Sequence, residues 1–154
     1  MDAEVYPEER VARFIQDNFI PARLHVRDQA ADFKRYGEQY GAHWTPTLLE
    51  LDPEGVEQHR VEGFLEADDL LAQLTLGLGK AAFKNQKWQE AERRFREVVD
   101  RYPESDGAAE ALYWAGVSRY RQTNDPAALA GTSEAFGKRY QDSIWAKKAS
   151  IWKH

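Results

Sequence analysis

The chain has 154 residues, of which 31% are charged, with a formal net charge of −5 and no cysteine. This length predicts one domain or two small ones, and the lack of cysteine excludes disulfides, thiolate metal sites and thiol catalysis within the chain. The interspersed charges and the absence of a long apolar run favour neither a nucleic-acid nor a membrane partner. The acidic start, "MDAEVYPEER", does not resemble a signal peptide, so we expect a cytoplasmic protein.

The first predicted elements are a helix and a strand. Residues 7 to 18 place Val11, Phe14 and Ile15 on one apolar face and begin at a proline that suits a first helical turn. Residues 19 to 26, "FIPARLHV", alternate apolar and polar side chains. That alternation predicts a short strand.

A second helix and a hairpin follow. The second helix is predicted from Asp28, as its N-cap, to Gly41, as its C-terminal stop. Residues 47 to 51 and 56 to 61 read as two strands around the turn Asp52-Pro53-Glu54-Gly55. Proline is tolerated where a strand starts, and an X-Pro bond can be cis at a tight turn, so Pro46 fits the entry to the first of these strands.

This order of elements and the residues at its corners resemble the second half of the thioredoxin fold over roughly residues 5 to 76. The matching positions are Thr45-Pro46-Thr47, Asp52 to Gly55, and Gly63. The resemblance implies a partial thioredoxin-like α/β layer. It also implies a peptide-docking corner at Trp44, Thr45 and Pro46, for which the alternative is a structural turn.

The resemblance lacks its chemistry, because the Cys-x-x-Cys pair of that family would lie upstream of Met1. Two accounts of this absence stay open. The chain is either an N-terminal truncation of a thiol–disulfide oxidoreductase or a paralogue that has lost its catalytic half. In the second case the strands around the missing mid-sheet strand would have to pair directly, swap or dimerise.

From residue 77 onward the pattern becomes a helical repeat. A long helix is predicted from Glu66 to about Asn85, and residues 78 to 105 resemble a tetratricopeptide repeat, with small residues at Gly79 and Ala91 and large ones at Phe83 and Phe95. "GKAAF" (79 to 83) returns as "GVSRY" (116 to 120), and "DRYPES" (100 to 105) returns as "KRYQDS" (138 to 143). We therefore expect five helices, arranged as two pairs and a final one, and a domain boundary between residues 76 and 77. This lengthened form of the repeat resembles those of bacterial envelope-assembly and cell-division proteins.

The candidate groove residues lie on the opening helices of the repeats. Lys80, Lys84, Arg119 and Arg121 could form a basic stripe for an acidic peptide, and the alternative is scattered solvated charge. Most of the tryptophans after residue 77 should pack between helices. Trp145 and Trp152, on the last helix, are the ones expected to mark a partner or oligomer surface. The four histidines have no metal-binding spacing, so we predict no metal and no cofactor.

The predicted fold class is α/β + α, with an incomplete thioredoxin-like layer in residues 1 to 76 and a short antiparallel tetratricopeptide-type array in residues 77 to 154. The predicted function is that of a non-catalytic adaptor that binds a protein or peptide and neither nucleic acid nor membrane. A homodimer stays open as well. The alternative function is that of the C-terminal portion of a thiol–disulfide oxidoreductase.

Overall fold

The computed structural model describes residues 1–153. The chain divides into two compact units, residues 1–67 and residues 68 onward. This division lies between residues 67 and 68, whereas the sequence pattern placed the boundary at residues 76 and 77. Each unit is described by itself below. None of the helices in residues 1–153 combines the length and the apolarity needed to cross a bilayer.

The first unit contains helices α1 (Glu9–Asn18) and α2 (Ala30–Tyr40) and strands β1 (Thr47–Leu51) and β2 (Glu57–Glu62). Both predicted helices are present; α1 begins two residues later than expected and α2 one residue later. Gly41 ends α2 with a left-handed φ of 62°, as its position in the sequence predicted. Asp28 is not the N-cap of α2, and its carboxylate lies 3.1 Å from Nδ1 of His25 instead.

Strands β1 and β2 form an antiparallel hairpin in which Leu48 faces Val61 and Glu50 faces His59. The Oδ1 atom of Asp52 accepts the backbone N–H groups of Glu54 and Val56, so the side chain holds the turn that Gly55 completes with a φ of 79°. The predicted hairpin is confirmed. Its second strand is displaced by one residue, and the register shifts between Glu50 and Leu51.

The strand predicted over residues 19 to 26 is absent, because the first unit contains only the two-stranded β1–β2 sheet. The alternating pattern is present, but no neighbouring strand is hydrogen-bonded to the segment. Pro21 also removes one donor from it. Ile20, an inward-facing position of the predicted strand, is fully exposed. The first unit therefore consists of a two-stranded hairpin and two helices, and the predicted thioredoxin-like layer is not confirmed.

Arg60 of β2 fastens the hairpin to the end of α2. Its guanidinium donates to the backbone carbonyls of Tyr40 and Gly41 and to the carboxylates of Glu57 and Glu62. This hydrogen bonding lowers the pKa of the Glu57 carboxyl and raises the pKa of the Arg60 guanidinium further above its already high ordinary value. The Arg60 side chain thus connects β2 to the end of α2. It also pairs two backbone carbonyls that the end of the helix would otherwise leave without a hydrogen bond.

The second unit contains the five predicted helices. They are α3 (Ala67–Lys84, whose first residue belongs to the first unit), α4 (Trp88–Arg101), α5 (Ala108–Thr123), α6 (Ala127–Lys138) and α7 (Ile144–Ala149), and a 3-10 turn (Ser150–Trp152) follows them. The core of this unit draws on all five helices. Its buried side chains include Leu76, Phe95, Leu112, Phe136 and Ala149.

A glycine on the first helix of each pair lets the second helix approach closely. A Cβ atom at Gly79 of α3 would lie 2.6 Å from the fully buried ring of Phe95 on α4. A Cβ atom at Gly116 of α5 would lie 2.0 Å from Oγ1 of Thr132 on α6. Gly116 and Thr132 each lie 37 residues after Gly79 and Phe95, their counterparts in the first helix pair. The two helices of each pair therefore pack against each other in the same way.

The connections between helices repeat as well. Oγ of Ser105 donates to the carbonyl of Tyr102, and Oγ of Ser143 donates to the carbonyl of Tyr140, each at 2.7 Å. The hydroxyl of Tyr140 donates in turn to the carbonyl of Pro103 at 2.6 Å, which joins one copy of the turn to the next. The internal repeat predicted from the sequence is therefore present in the structure as two equivalent interhelical turns, which a hydrogen bond joins.

A test of the close helix contact compares two glycines of the second unit. We expect Gly79→Ala to lower the free energy of unfolding by about 1 to 3 kcal/mol, because the new methyl group would collide with the fully buried ring of Phe95. Gly131→Ala on α6 meets no atom within 4 Å and should raise stability by about 0.5 to 1 kcal/mol. Urea denaturation of both variants measures the difference, and a Gly79→Ala protein as stable as Gly131→Ala would contradict the packing model.

A second test uses the pH dependence that Arg60 gives to the hairpin. Since the folded pKa of Glu57 is lowered, its contribution to stability is present above the ordinary glutamate pKa of about 4.3 and is lost as the pH falls through the folded pKa. Arg60 stays charged throughout this range. We expect Arg60→Gln to lower the urea concentration at which the hairpin unfolds near neutral pH, as followed by the NMR signals of its residues. In the variant, this midpoint should also decrease less steeply as the pH is lowered. If the urea midpoint changes with pH equally steeply in the variant and in the wild type, the Arg60–Glu57 pair does not contribute to the pH dependence of stability.

Candidate functional site: an aromatic row on the helical repeats

Six aromatic side chains form a continuous row across the second unit. Phe83 at the end of α3 has its ring centroid 4.9 Å from that of Trp88, at the start of α4, and 5.2 Å from that of Trp114 on α5. Tyr113, beside Trp114, is 5.2 Å from Trp145 on α7 and 4.7 Å from Trp152 in the 3-10 turn. We call Trp88, Phe83, Trp114, Tyr113, Trp145 and Trp152 the aromatic row.

The rings of the aromatic row lie at the margin of the core. Each of the six side chains is partly exposed, and five of them pack against the buried cluster of the unit. The row connects α3, α5 and α7, which are the opening helices of successive helix pairs. A surface built this way presents rigid aromatic faces to solvent, and such faces contribute much contact area at little cost in side-chain entropy.

Trp114 lies at the centre of the row, and its indole N–H group donates no hydrogen bond within residues 1–153. Its ring is within 5.2 Å of Phe83 and 5.4 Å of Tyr113 by centroid. Its indole Nε1 is buried and has no hydrogen-bond partner within the described part of the chain. A buried donor without an acceptor costs about 1 to 3 kcal/mol, so the ring is kept in place by its contacts and not by a hydrogen bond.

Two cations rest on the rings of the row. The guanidinium of Arg121 lies 4.7 Å from the centroid of the Trp88 ring, and Nζ of Lys148 lies 4.0 Å from that of Trp145. Neither cation makes an ion pair with a carboxylate in residues 1–153. Their charges are therefore available to an incoming anionic group, while the rings beneath them hold their positions.

The predicted groove residues divide into two groups. Lys80 on α3 forms an ion pair of 2.7 Å with Glu110 on α5, and Arg119 lies 3.7 Å from Glu92 on α4. Both charges are balanced within the unit. Lys84 is exposed and has no ion-pair partner within residues 1–153, and Arg121 rests on Trp88 as described above. The four residues thus do not form one stripe of free charge.

The predicted docking corner lies in the first unit, ahead of β1. Trp44 is 69% exposed, and its carbonyl accepts the hydroxyl of Thr47 at 2.6 Å. The peptide bond between Thr45 and Pro46 is cis. The carbonyl of Pro46 accepts the N–H of Gly63 at 2.8 Å, so this residue extends the hairpin ladder by one bond beyond β1.

The exposed apolar side chains of the last helix differ from those predicted. Trp145 and Trp152 are partly buried because both rings contact Tyr113. Ile144 and Ile151 are the exposed residues there, at 58% and 76%. Tyr113 was not among the residues predicted for this surface. The adjacent pair Tyr113-Trp114 in a helix with a repeating aromatic pattern was the available signal, because adjacent helical residues point about 100° apart and can contact different neighbours.

The comparisons with known proteins bear on the same region. Residues 66–105 match the family model of the tetratricopeptide repeat. This range contains α3 and α4, so the first helix pair is similar to a tetratricopeptide repeat, and the helical array that follows is compatible with more of the same type. No curated protein and no solved structure matches the chain significantly. The matched family is not the thioredoxin-like one.

The packing of the aromatic row can be tested by comparing two tryptophans. We expect Trp114→Leu to lower the free energy of unfolding by about 2 to 4 kcal/mol, because it removes ring contacts on both sides and leaves a cavity beside the core. Trp44→Leu, at an exposed position, should change it by no more than about 0.5 kcal/mol. Urea denaturation monitored by circular dichroism measures both effects. Similar losses in the two variants would mean that the row does not support the fold.

Proposed function

We propose that the chain is a non-catalytic adaptor that binds a protein or peptide partner through the aromatic row of its helical repeats. The observation that carries this proposal is the continuity of six partly exposed rings from α3 and the start of α4, through α5, to α7 and the 3-10 turn. The tetratricopeptide repeat in residues 66–105 supports it, since helical repeats of this kind generally mediate protein–protein interactions.

The chemistry of the proposed site favours binding over catalysis. The aromatic row consists of aromatic side chains, and the chain contains no cysteine. Aromatic and arginine side chains are the residues that most often dominate the energetics of protein interfaces. Phe83, Trp88 and Arg121 place both kinds at one end of the row.

The preferred partner is an acidic peptide with apolar residues. Lys84, Arg121 and Lys148 supply positive charge that no carboxylate of the described chain neutralises, whereas Lys80 is already paired with Glu110. Apolar side chains of such a peptide would pack on the rings, and its carboxylates would meet the cations. Electrostatic complementarity of this kind selects partners and speeds their association.

The proposal treats the first unit as a thioredoxin-like remnant without redox activity. The order α1, α2, β1, β2, with Pro46 before the hairpin and Gly63 after it, supports that kinship. A role as part of a thiol–disulfide oxidoreductase draws no support from the residues present here. The adaptor function does not depend on this kinship, because the proposed site lies in the second unit.

The indole N–H signals of the five tryptophans provide a direct binding test. We expect a peptide with alternating Glu and Leu residues to shift the signals of Trp88, Trp114 and Trp145, and to leave Trp44 of the first unit unchanged as an internal control. A peptide with Lys in place of each Glu should bind at least about threefold more weakly, because its charges oppose those of the site. Equal binding of the two peptides, or shifts at Trp44 alone, would refute the proposed site.

The cations can be separated by matched charge deletions. Arg121→Gln should weaken the acidic peptide by about two- to tenfold, since its charge is free and lies over Trp88. Lys138→Gln removes the same charge from the end of α6, a helix that carries no ring of the aromatic row, and should leave affinity unchanged. An equal loss in the two variants would show that net charge, and not the site, governs binding.

A further inference from the structure

The hairpin of the first unit has one strand whose outer edge is unpaired. In an antiparallel pair, the residues whose N–H and C=O groups face the partner strand alternate with residues whose groups face away. Two hydrogen bonds lie at the two ends of β1. The N–H of Gly63 donates to the Pro46 carbonyl, and the N–H of Asp52 donates to the Val56 carbonyl. Positions 46, 48, 50 and 52 therefore face β2. The backbone groups of Thr47, Leu49 and Leu51 point away from it.

These outward groups have no alternative partner. No turn, loop or cap hydrogen bond in residues 1–153 engages the backbone of Thr47, Leu49 or Leu51. Thr47 and Leu49 are partly exposed, and Leu51 is 43% exposed. Unpaired backbone groups of this kind are the template on which an added strand forms.

The two edges of the hairpin differ in the protection that their side chains give. Strand β2, "EQHRVE", carries charges along its length, and Arg60 covers it by bonding to Glu57, Glu62 and the end of α2. Strand β1, "TLLEL", has a single charged residue and contains no proline or lysine. Charged side chains are the usual means of blocking edge-to-edge pairing, so β2 is blocked and β1 is not.

The first unit also gains little stability from its own core. The only buried hydrophobic side chains in residues 1–67 are Val5 and Val11, whereas Trp44, Val56 and Phe64 are among its exposed apolar residues. A two-stranded sheet is marginally stable by itself, and a third strand adds both hydrogen bonds and covered apolar area. An added strand on β1 would supply both.

The charge of the unit determines which strand fits. Residues 1–67 contain 14 acidic and 7 basic residues, and Asp52 and Glu54 lie in the turn that follows β1. A second copy of the chain would bring two such acidic surfaces together. We propose that the free edge of β1 accepts an extended segment of another protein, with apolar side chains at alternate positions and lysine or arginine at its ends. This inference is independent of the proposed function of the helical repeats.

The test uses the full chain and a blocked peptide of alternating valine and threonine with two lysines at each end. Amide hydrogen exchange, read residue by residue, should show new protection at Thr47, Leu49 and Leu51, while Leu48 and Glu50 are protected in the free protein as well. The same peptide with N-methyl groups on alternate amides should not bind, because its donors on one edge are gone. A version ending in glutamates should bind at least about threefold more weakly.

Variants at Leu51 separate backbone pairing from side-chain contact. Leu51→Pro removes one outward donor and should weaken the lysine-ended peptide by about two- to tenfold relative to Leu51→Ala, which keeps the donor. If Leu51→Pro disrupts the hairpin, the pair Leu51→Lys and Leu51→Glu replaces it, with weaker binding expected for lysine. Protection that lacks the alternate-residue pattern overturns the proposal. Protection that rises with protein concentration in the absence of peptide also overturns it, because a second copy would then occupy the edge.

Discussion

The close contact between paired helices is the constraint on which the second unit depends. Phe95 can lie fully buried against α3 only because position 79 has no Cβ atom, and a methyl group there would come within 2.6 Å of the ring. Side chains one turn apart on a helix share a face, so the same glycine determines where Phe83 emerges. Phe83 then meets Trp88 of α4 and Trp114 of α5, and it links the first helix pair to the second. Core packing and the aromatic surface are therefore consequences of one contact.

Elements with local signals could be predicted from the sequence. The hairpin needed only a turn sequence between two short apolar runs, and Asp52 and Gly55 perform the expected roles in that turn. The helical repeats were visible because "GKAAF" and "GVSRY" carry the small residue that close packing requires. The predicted strand over residues 19 to 26 failed for the opposite reason, since a strand exists only with a partner and the pattern of one segment does not reveal whether a partner is present.

The candidate site could be predicted only in part, because its properties arise between helices. Lys80 and Arg119 looked equivalent to Lys84 and Arg121 in the sequence, yet the first two are paired with Glu110 and Glu92. Which cation remains free depends on the neighbouring helix, whose side chains are some 27 to 30 residues away along the chain. The exposure of Trp145 and Trp152 also depends on another helix, because both rings contact Tyr113 of α5.

The two proposed surfaces are opposite in charge, and this makes them selective for different partners. The first unit has 14 acidic and 7 basic residues, and the second has 12 acidic and 14 basic residues. The β1 edge offers backbone hydrogen bonds in an acidic setting, whereas the aromatic row offers rings beneath free cations. Under these proposals, a basic extended segment that suits β1 would be repelled by Arg121 and Lys148, and an acidic peptide that suits the row would be repelled by Asp52 and Glu54. If both proposals hold, each surface disfavours the partner of the other, and the opposite charges keep the two binding events specific.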